Sequence, residues 1–206
     1  MEVTFQHYLL GIFAVGNNIS ALPMHMNLCK GLSKSAQHRL CLTATTASLA
    51  TMAVSFLMGA AVLEFFGISI AAFRIAGGLY LATSGLGMLR SKSNGDSPQT
   101  FSLSEVIPIA VVPIAIPLTS GPGVISAIIL FAQEAHGLPG LLKIGAAIGT
   151  VSAINYLSFY FSPVIIRVLG HTGMDIFTKV FGLITLALGV QFILTGLSTS
   201  FPVLLH

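Results

Sequence analysis

Charge is what this sequence has least of. Only 7% of its residues are Asp, Glu, Lys or Arg, against about 25% in an ordinary soluble domain, and none falls between Val3 and Cys29. A chain that is 54% hydrophobic with a mean hydropathy of +0.92 cannot present this surface to water. Cysteine is also scarce. Cys29 and Cys41 are the two in the chain, which excludes a disulfide framework and a zinc-ligand spacing. They sit at either end of one short loop and read as adaptable packing residues. No GxxxxGK[ST] phosphate loop, GxSxG nucleophile motif or HExxH zinc motif occurs, so ATP-driven, serine-hydrolase and zinc-protease chemistry have no recognisable machinery here. Nor is there a basic stripe. The nine Lys and Arg residues are dispersed around apolar runs, the pattern of membrane topology signals rather than of phosphate binding.

What is present is a succession of apolar runs, each long enough to cross a hydrocarbon core that requires about 20 residues per helix. Apolar, charge-poor windows predict spans near 5–28, 41–66, 68–89, 105–132, 141–166 and 175–198. The first run is too long and lacks the basic leader of a cleaved signal. Alternating sides place Lys30, Lys34, Arg39, Arg90, Lys92, Arg167 and Lys179 on one face, and Arg74 and Lys143 on the other. The positive-inside tendency then makes the richer face cytoplasmic, with both termini periplasmic. The expectation is one transmembrane domain, 1–206: a first repeat at 1–89, a cytoplasmic linker at 90–104, and a second repeat at 105–206.

The halves resemble each other. GNNISALP (16–23) separates Asn18 from Pro23 by the same interval that separates Pro117 from Pro122 in IPLTSGPG (116–123). RIAG (74–77) similarly matches KVFG (179–182). Three spans per copy is odd, so the second copy is inverted. The predicted fold is therefore an all-α membrane protein, with six transmembrane helices as two inverted three-helix repeats and broken first and fourth helices. Gly/Pro-interrupted spans at matching positions point to a transporter, with its site at the interruptions. The reason is that a broken helix frees backbone N–H and C=O groups, which hydrocarbon cannot satisfy but a polar cavity can. Opposed half-helix ends carry partial charges of both signs and suit a zwitterion. The candidate substrate-binding residues are Asn17, Asn18, Pro23, Thr119, Ser120, Gly121, Pro122 and Gly123. Ordinary kinks and close helix packing are the competing explanation.

At these residues the sequence resembles the MarC family of bacterial inner-membrane proteins, which includes SnatA-type neutral amino acid transporters. The likeness also runs through FFGISIAAFRIAGG (65–78), PLTSGPG (117–123) and GVQFILTGL (189–197). It implies an inner-membrane protein of two inverted halves and, by analogy with some members, proton-coupled carriage of glycine and alanine. Carried over by position, the implied site is Asn17 and Pro23 with Thr119, Gly121, Pro122 and Gly123. One departure is Asn18, where the family pattern has proline. Asparagine keeps its N–H and forces no break, so the first interruption is expected to be softer here.

Other polar residues divide by depth. His25 is a candidate proton relay or a boundary histidine reaching headgroups. Glu64, Glu105 and Glu134 sit at predicted span ends, as do Arg74 and Lys179, and read as interfacial. Asn155 and Gln191 lie deeper and either line a cavity or bond a neighbouring helix. Gly78, Gly85, Gly182 and Gly189 share a seven-residue spacing that favours close helix contact. The functional expectation is a secondary transporter of a small neutral amino acid, with no catalytic residue, metal or cofactor and no nucleic-acid partner. Its partners are the bilayer and the solute, and a homo-oligomer is compatible with it. A non-transporting module that stabilises a partner complex and, further off, an intramembrane enzyme are the alternatives.

Overall fold

The computed structural model describes residues 4–16, 21–22, 25–26, 29, 32–90 and 120–201. The expected linker beyond Arg90 and the start of the fourth span lie outside these residues. Six helices dominate: α1 (Phe5–Gly16), α2 (Lys34–Phe65), α3 (Ile70–Arg90), α4 (Pro122–Glu134), α5 (Gly137–Tyr160) and α6 (Ser162–Ser200). Ala21, Leu22, His25, Met26 and Cys29 are also helical. No strand occurs among the described residues.

Three helices are long and apolar enough to cross a membrane: α2, α5 and the Thr172–Ser200 part of α6. At about 1.5 Å per residue, the 32 residues of α2 exceed a hydrocarbon core of about 30 Å. Leu57, Leu138, Val168, Leu183 and Leu194 are more than half exposed, as lipid-facing side chains are. The buried face of α2 recurs at Cys41, Thr45, Ser48, Met52, Ser55, Gly59 and Leu63, in steps of three or four along one stripe.

Local chemistry explains where helices stop. Ser33 caps α2 by accepting from the Ala36 N–H at 3.3 Å. At its other end Gly67 adopts φ 64°. Gly67 N–H donates to Glu64 O, and Ile68 N–H reaches back to Leu63 O, the paired bonds of a Schellman ending, which favours glycine at this left-handed position. Ser69 then caps α3 by accepting from Ala72 N–H. The second and third predicted spans are thus separate helices, although one glycine and its neighbours are all that divides them.

The boundary between the fifth and sixth spans is corrected. The charge pattern predicts a fifth span to 166 and a loop at 167–179. Instead α5 ends at Tyr160, α6 starts at Ser162, and the supposed loop is helical apart from Gly170 (φ 60°, ψ −176°). Charged side chains at 167, 175 and 179 suggest a loop, but a helix reaching past the bilayer edge carries them equally well. Gly170 has open space where a Cβ would lie, so only its backbone requires glycine. Gly170→Ala is expected to cost about 1–3 kcal/mol, measured as lower resistance to thermal unfolding in detergent.

The tightest helix pair is α3 with α6, and glycines make it so. A Cβ on Gly78 would lie 2.6 Å from Gly189 O, and one on Gly189 would lie 2.6 Å from Gly78 O. One turn-pair further on, Gly85 and Gly182 meet the same way, at 2.6 and 3.2 Å from each other's carbonyl oxygen. The residue numbers run oppositely, so the helices are antiparallel. The seven-residue glycine spacing does serve close packing. Around this pair, α1 packs on α5 and α4 packs on α2, while α1 and α4 touch each other and both reach the α3–α6 pair.

Candidate functional site

Gly121 and Pro122 start a helix inside the apolar segment predicted to run from 105 to 132. Gly121 is the extended N-cap residue and Pro122 occupies the first turn, where a missing N–H costs nothing. The fixed proline φ and the flexible glycine before it therefore set the start of α4. Ser120, just outside, is completely buried, and its hydroxyl is hydrogen-bonded to that of Ser48 on α2. Gly123 is buried where α4 crosses α1 and α3: an added Cβ would stand 2.7 Å from Leu81 Cδ2 and 3.1 Å from Val15 Cγ1. The start of α4 is thus buried at Ser120, Gly121 and Gly123, while Pro122 is exposed.

Asn17, Asn18, Pro23 and Thr119 lie outside the described residues. Next to the first of them, α1 ends at Gly16. Ala14, in its last turn, has a carbonyl oxygen that accepts a bond from Thr185 Oγ1 of α6 at 3.1 Å. Thr185 is itself fully buried, and a buried hydroxyl needs a partner, which this carbonyl supplies. Thr185→Val is expected to lower stability by about 1 kcal/mol, with Thr185→Ser close to the native protein in the same detergent unfolding assay.

Thr45, Ser48, Ser120, Ser152, Asn155 and Thr185 are all buried polar residues. Of these the sequence pattern marks only Ser120 and Asn155. Ser48 and Thr45 have a legible signal in the three-and-four spacing of small polar residues along α2. Thr185 has none, because a lone threonine in an apolar helix looks like any other. Gln191 is exposed and bonds Thr195 on its own helix at 3.3 Å, so it lines no interior cavity.

His25 is buried within the protein. Its ring stacks on Phe159 at a centroid distance of 4.9 Å. Its Nδ1 lies 3.3 Å from Ser162 Oγ, and its Nε2 lies 3.3 Å from Cys41 Sγ and 3.6 Å from Cys29 Sγ. These groups border a cavity of about 860 Å³ between the N-terminal end of α2 and the C-terminal end of α5, with Lys34, Gln37 and Tyr156 on its walls. Both cysteines are free thiols. Among the described residues, no group of three or more His, Cys, Asp or Glu is arranged to hold a metal ion.

The sequence pattern assigns Arg74 and Glu134 to the interface, facing headgroups. They also bond each other, with Arg74 Nη2 donating to Glu134 Oε1 at 2.7 Å. Lys179 pairs with Asp175, one turn away on its own helix, also at 2.7 Å.

Comparison with known proteins agrees with this membrane architecture. The sequence model for "MarC family integral membrane protein" matches residues 3–201. The UPF0056 membrane protein YhcE of Escherichia coli is 33% identical, over 97% of this chain and 94% of its own length. UPF0056 membrane protein PH0760 of Pyrococcus horikoshii is 34% identical over 97% of both chains. YvbG of Bacillus subtilis, another UPF0056 membrane protein, is 28% identical over 96% of both. No solved structure matches. With the family pattern covering nearly its whole length, the chain belongs to the MarC family of integral membrane proteins.

Proposed function

We propose that this protein is a secondary transporter of a small neutral amino acid, glycine or alanine, which passes through a midplane site between two interrupted helices. The observation that carries this reading is the start of α4 at Gly121–Pro122, inside an apolar segment, with buried Ser120 bonded to Ser48 of another helix. A helix end at that depth needs polar company. The free N–H groups of its first turn, with their partial positive charge, suit a carboxylate. In this reading Asn17 and Asn18, with Thr119 through Gly123, hold the solute, Pro23 shapes the first interruption, and His25 relays protons. The chain acts without an enzyme's chemistry, in the inner membrane, with both termini periplasmic.

Two inverted three-helix halves are part of the proposal. The packing supports them: exchanging the halves maps α1 against α5 onto α4 against α2. It also maps the α3–α6 pair onto itself.

Purified protein in liposomes tests the reading. Labelled glycine and alanine are expected to cross faster than in empty vesicles, and Asn17→Ala and Gly121→Leu to slow them. Absence of flux for any amino acid under imposed pH or solute gradients would instead favour a module that stabilises a partner complex. For topology, reporters fused at Lys34, Asn94 and Gly170 are each expected to report cytoplasm. A periplasmic result at Asn94 would break the inverted arrangement.

A further inference from the structure

The two ends of the molecule are built differently. At one end, Arg74 near the start of α3 is bonded to Glu134 at the end of α4. This joins residues 60 positions apart and ties one half of the chain to the other. The Arg74 side chain is 11% exposed and that of Glu134 37%, so the pair closes over the interior while keeping an edge in contact with solvent or headgroups. Beneath it, Tyr8 and His7 of α1 pack edge-on against Phe131, which in turn meets Phe192 of α6. That end is plugged.

The other end lies a full helix away. Gly137, which starts α5, follows Glu134 closely, whereas Tyr160 at the far end of α5 borders the cavity of about 860 Å³. At about 1.5 Å per residue, its 24 residues separate the two regions by roughly 36 Å. The sequence repeat sets Lys179 in the place of Arg74. Lys179, however, bonds Asp175 on its own helix and is half exposed, so among the described residues it ties nothing across the halves. A cross-half ion pair with an aromatic plug stands at one end; a local ion pair and, among the described residues, a cavity stand at the other.

We infer that Arg74 and Glu134 are a gate. Their ion pair holds that end shut while the cavity end is open, and it must part when the cavity closes and the site opens to the opposite side. This inference rests on the transport reading above. The chemistry suits the task. An ion pair at a membrane boundary separates at modest cost because each partner regains water or headgroups, which a pair at the bilayer centre could not do. The equilibrium between the two states then depends on the differential stability that the pair gives one of them.

The protein carries its own reporter. Both of its cysteines border the cavity, and Cys29 is partly accessible. Modification of Cys29 by a small hydrophilic methanethiosulfonate therefore reads how often the cavity is open, with no solute required. Arg74→Ala and Glu134→Gln are each expected to slow modification by about fivefold or more as the population moves away from the cavity-open state. The exchanged pair, Arg74→Glu with Glu134→Arg, is expected to return the rate to within about twofold of the native protein. Lys179→Ala, which breaks only a local pair, should leave the rate unchanged. Detergent-stable, monodisperse variants whose rates equal the native rate would overturn the gate, as would an equal effect of Lys179→Ala. A rate shift without amino acid flux in liposomes would leave the gate standing and overturn the transport reading; flux without the shift would do the reverse.

Discussion

Alanine at Gly85 or Gly189 is expected to destabilise the protein by about 2–3 kcal/mol, at the upper end of what overpacking a tight contact costs. The added methyl group would sit 2.6 Å from main-chain atoms of the opposing helix, at Gly182 O and Leu186 N for Gly85 and at Gly78 O and Ala82 N for Gly189. A flexible side chain could move aside, but here the obstacle is backbone, so α3 and α6 must separate along their length. Leucine at either position is expected to abolish recovery of folded protein. Gly87 supplies the internal control. It lies on the same helix as Gly85, with nothing within 4 Å of where an added methyl group would stand, and Gly87→Ala should be neutral or stabilising by up to about 1 kcal/mol through helix propensity. Thermal or SDS denaturation of micelle-solubilised protein measures all of these. Equal behaviour of Gly85→Ala and Gly87→Ala would show that the α3–α6 approach is not as close as described. Gly85→Ala combined with Gly182→Ala should cost less than the sum of the two, since both relieve their clash by the same separation.

Leucine at Ser48 is expected to reduce glycine and alanine flux in liposomes by tenfold or more, a figure on the order of 1.4 kcal/mol in the rate-limiting step. Ser48 is completely buried and its hydroxyl meets Ser120, one residue before the N-cap of α4. A longer apolar side chain there must push the serine away and displace the entrance to the helix. Ser48→Ala removes only the hydroxyl. Interhelical hydrogen bonds in membranes average about 0.6 kcal/mol, so its effect should be close to threefold. If Ser48→Leu folds normally and transports at the native rate, the interrupted segment at Ser120 has no part in the solute path.

How much of this was legible in the sequence depends on how far apart the cooperating residues lie. Scarcity of charge established a membrane protein, and local punctuation established its helices. Gly67 with Ser69, and Gly121 with Pro122, act through bonds to residues within a few positions, so a one-dimensional reading finds them. The seven-residue glycine spacing was equally visible, because a helix converts spacing directly into a face. The loop expected at 167–179 failed for the complementary reason. Charge does not report the end of a helix, and α6 continues through 167–179 with only Gly170 interrupting it.

The sequence by itself determined that the chain lives in a bilayer, that its apolar runs form helices, and that glycine and proline recur at matching intervals in its two halves. Only the tertiary structure decided what the helix start at Gly121 and the few polar groups touch. Ser48 met Ser120 across 72 positions, His25 met Ser162 across 137, and Arg74 met Glu134 across 60. Such pairings follow from how helices pack, which depends on the fit of whole surfaces, and no property of either residue alone announces its partner. In an interior with no water to solvate a lone hydroxyl or imidazole, those distant contacts fix where polarity can be placed, and hence where a solute could pass.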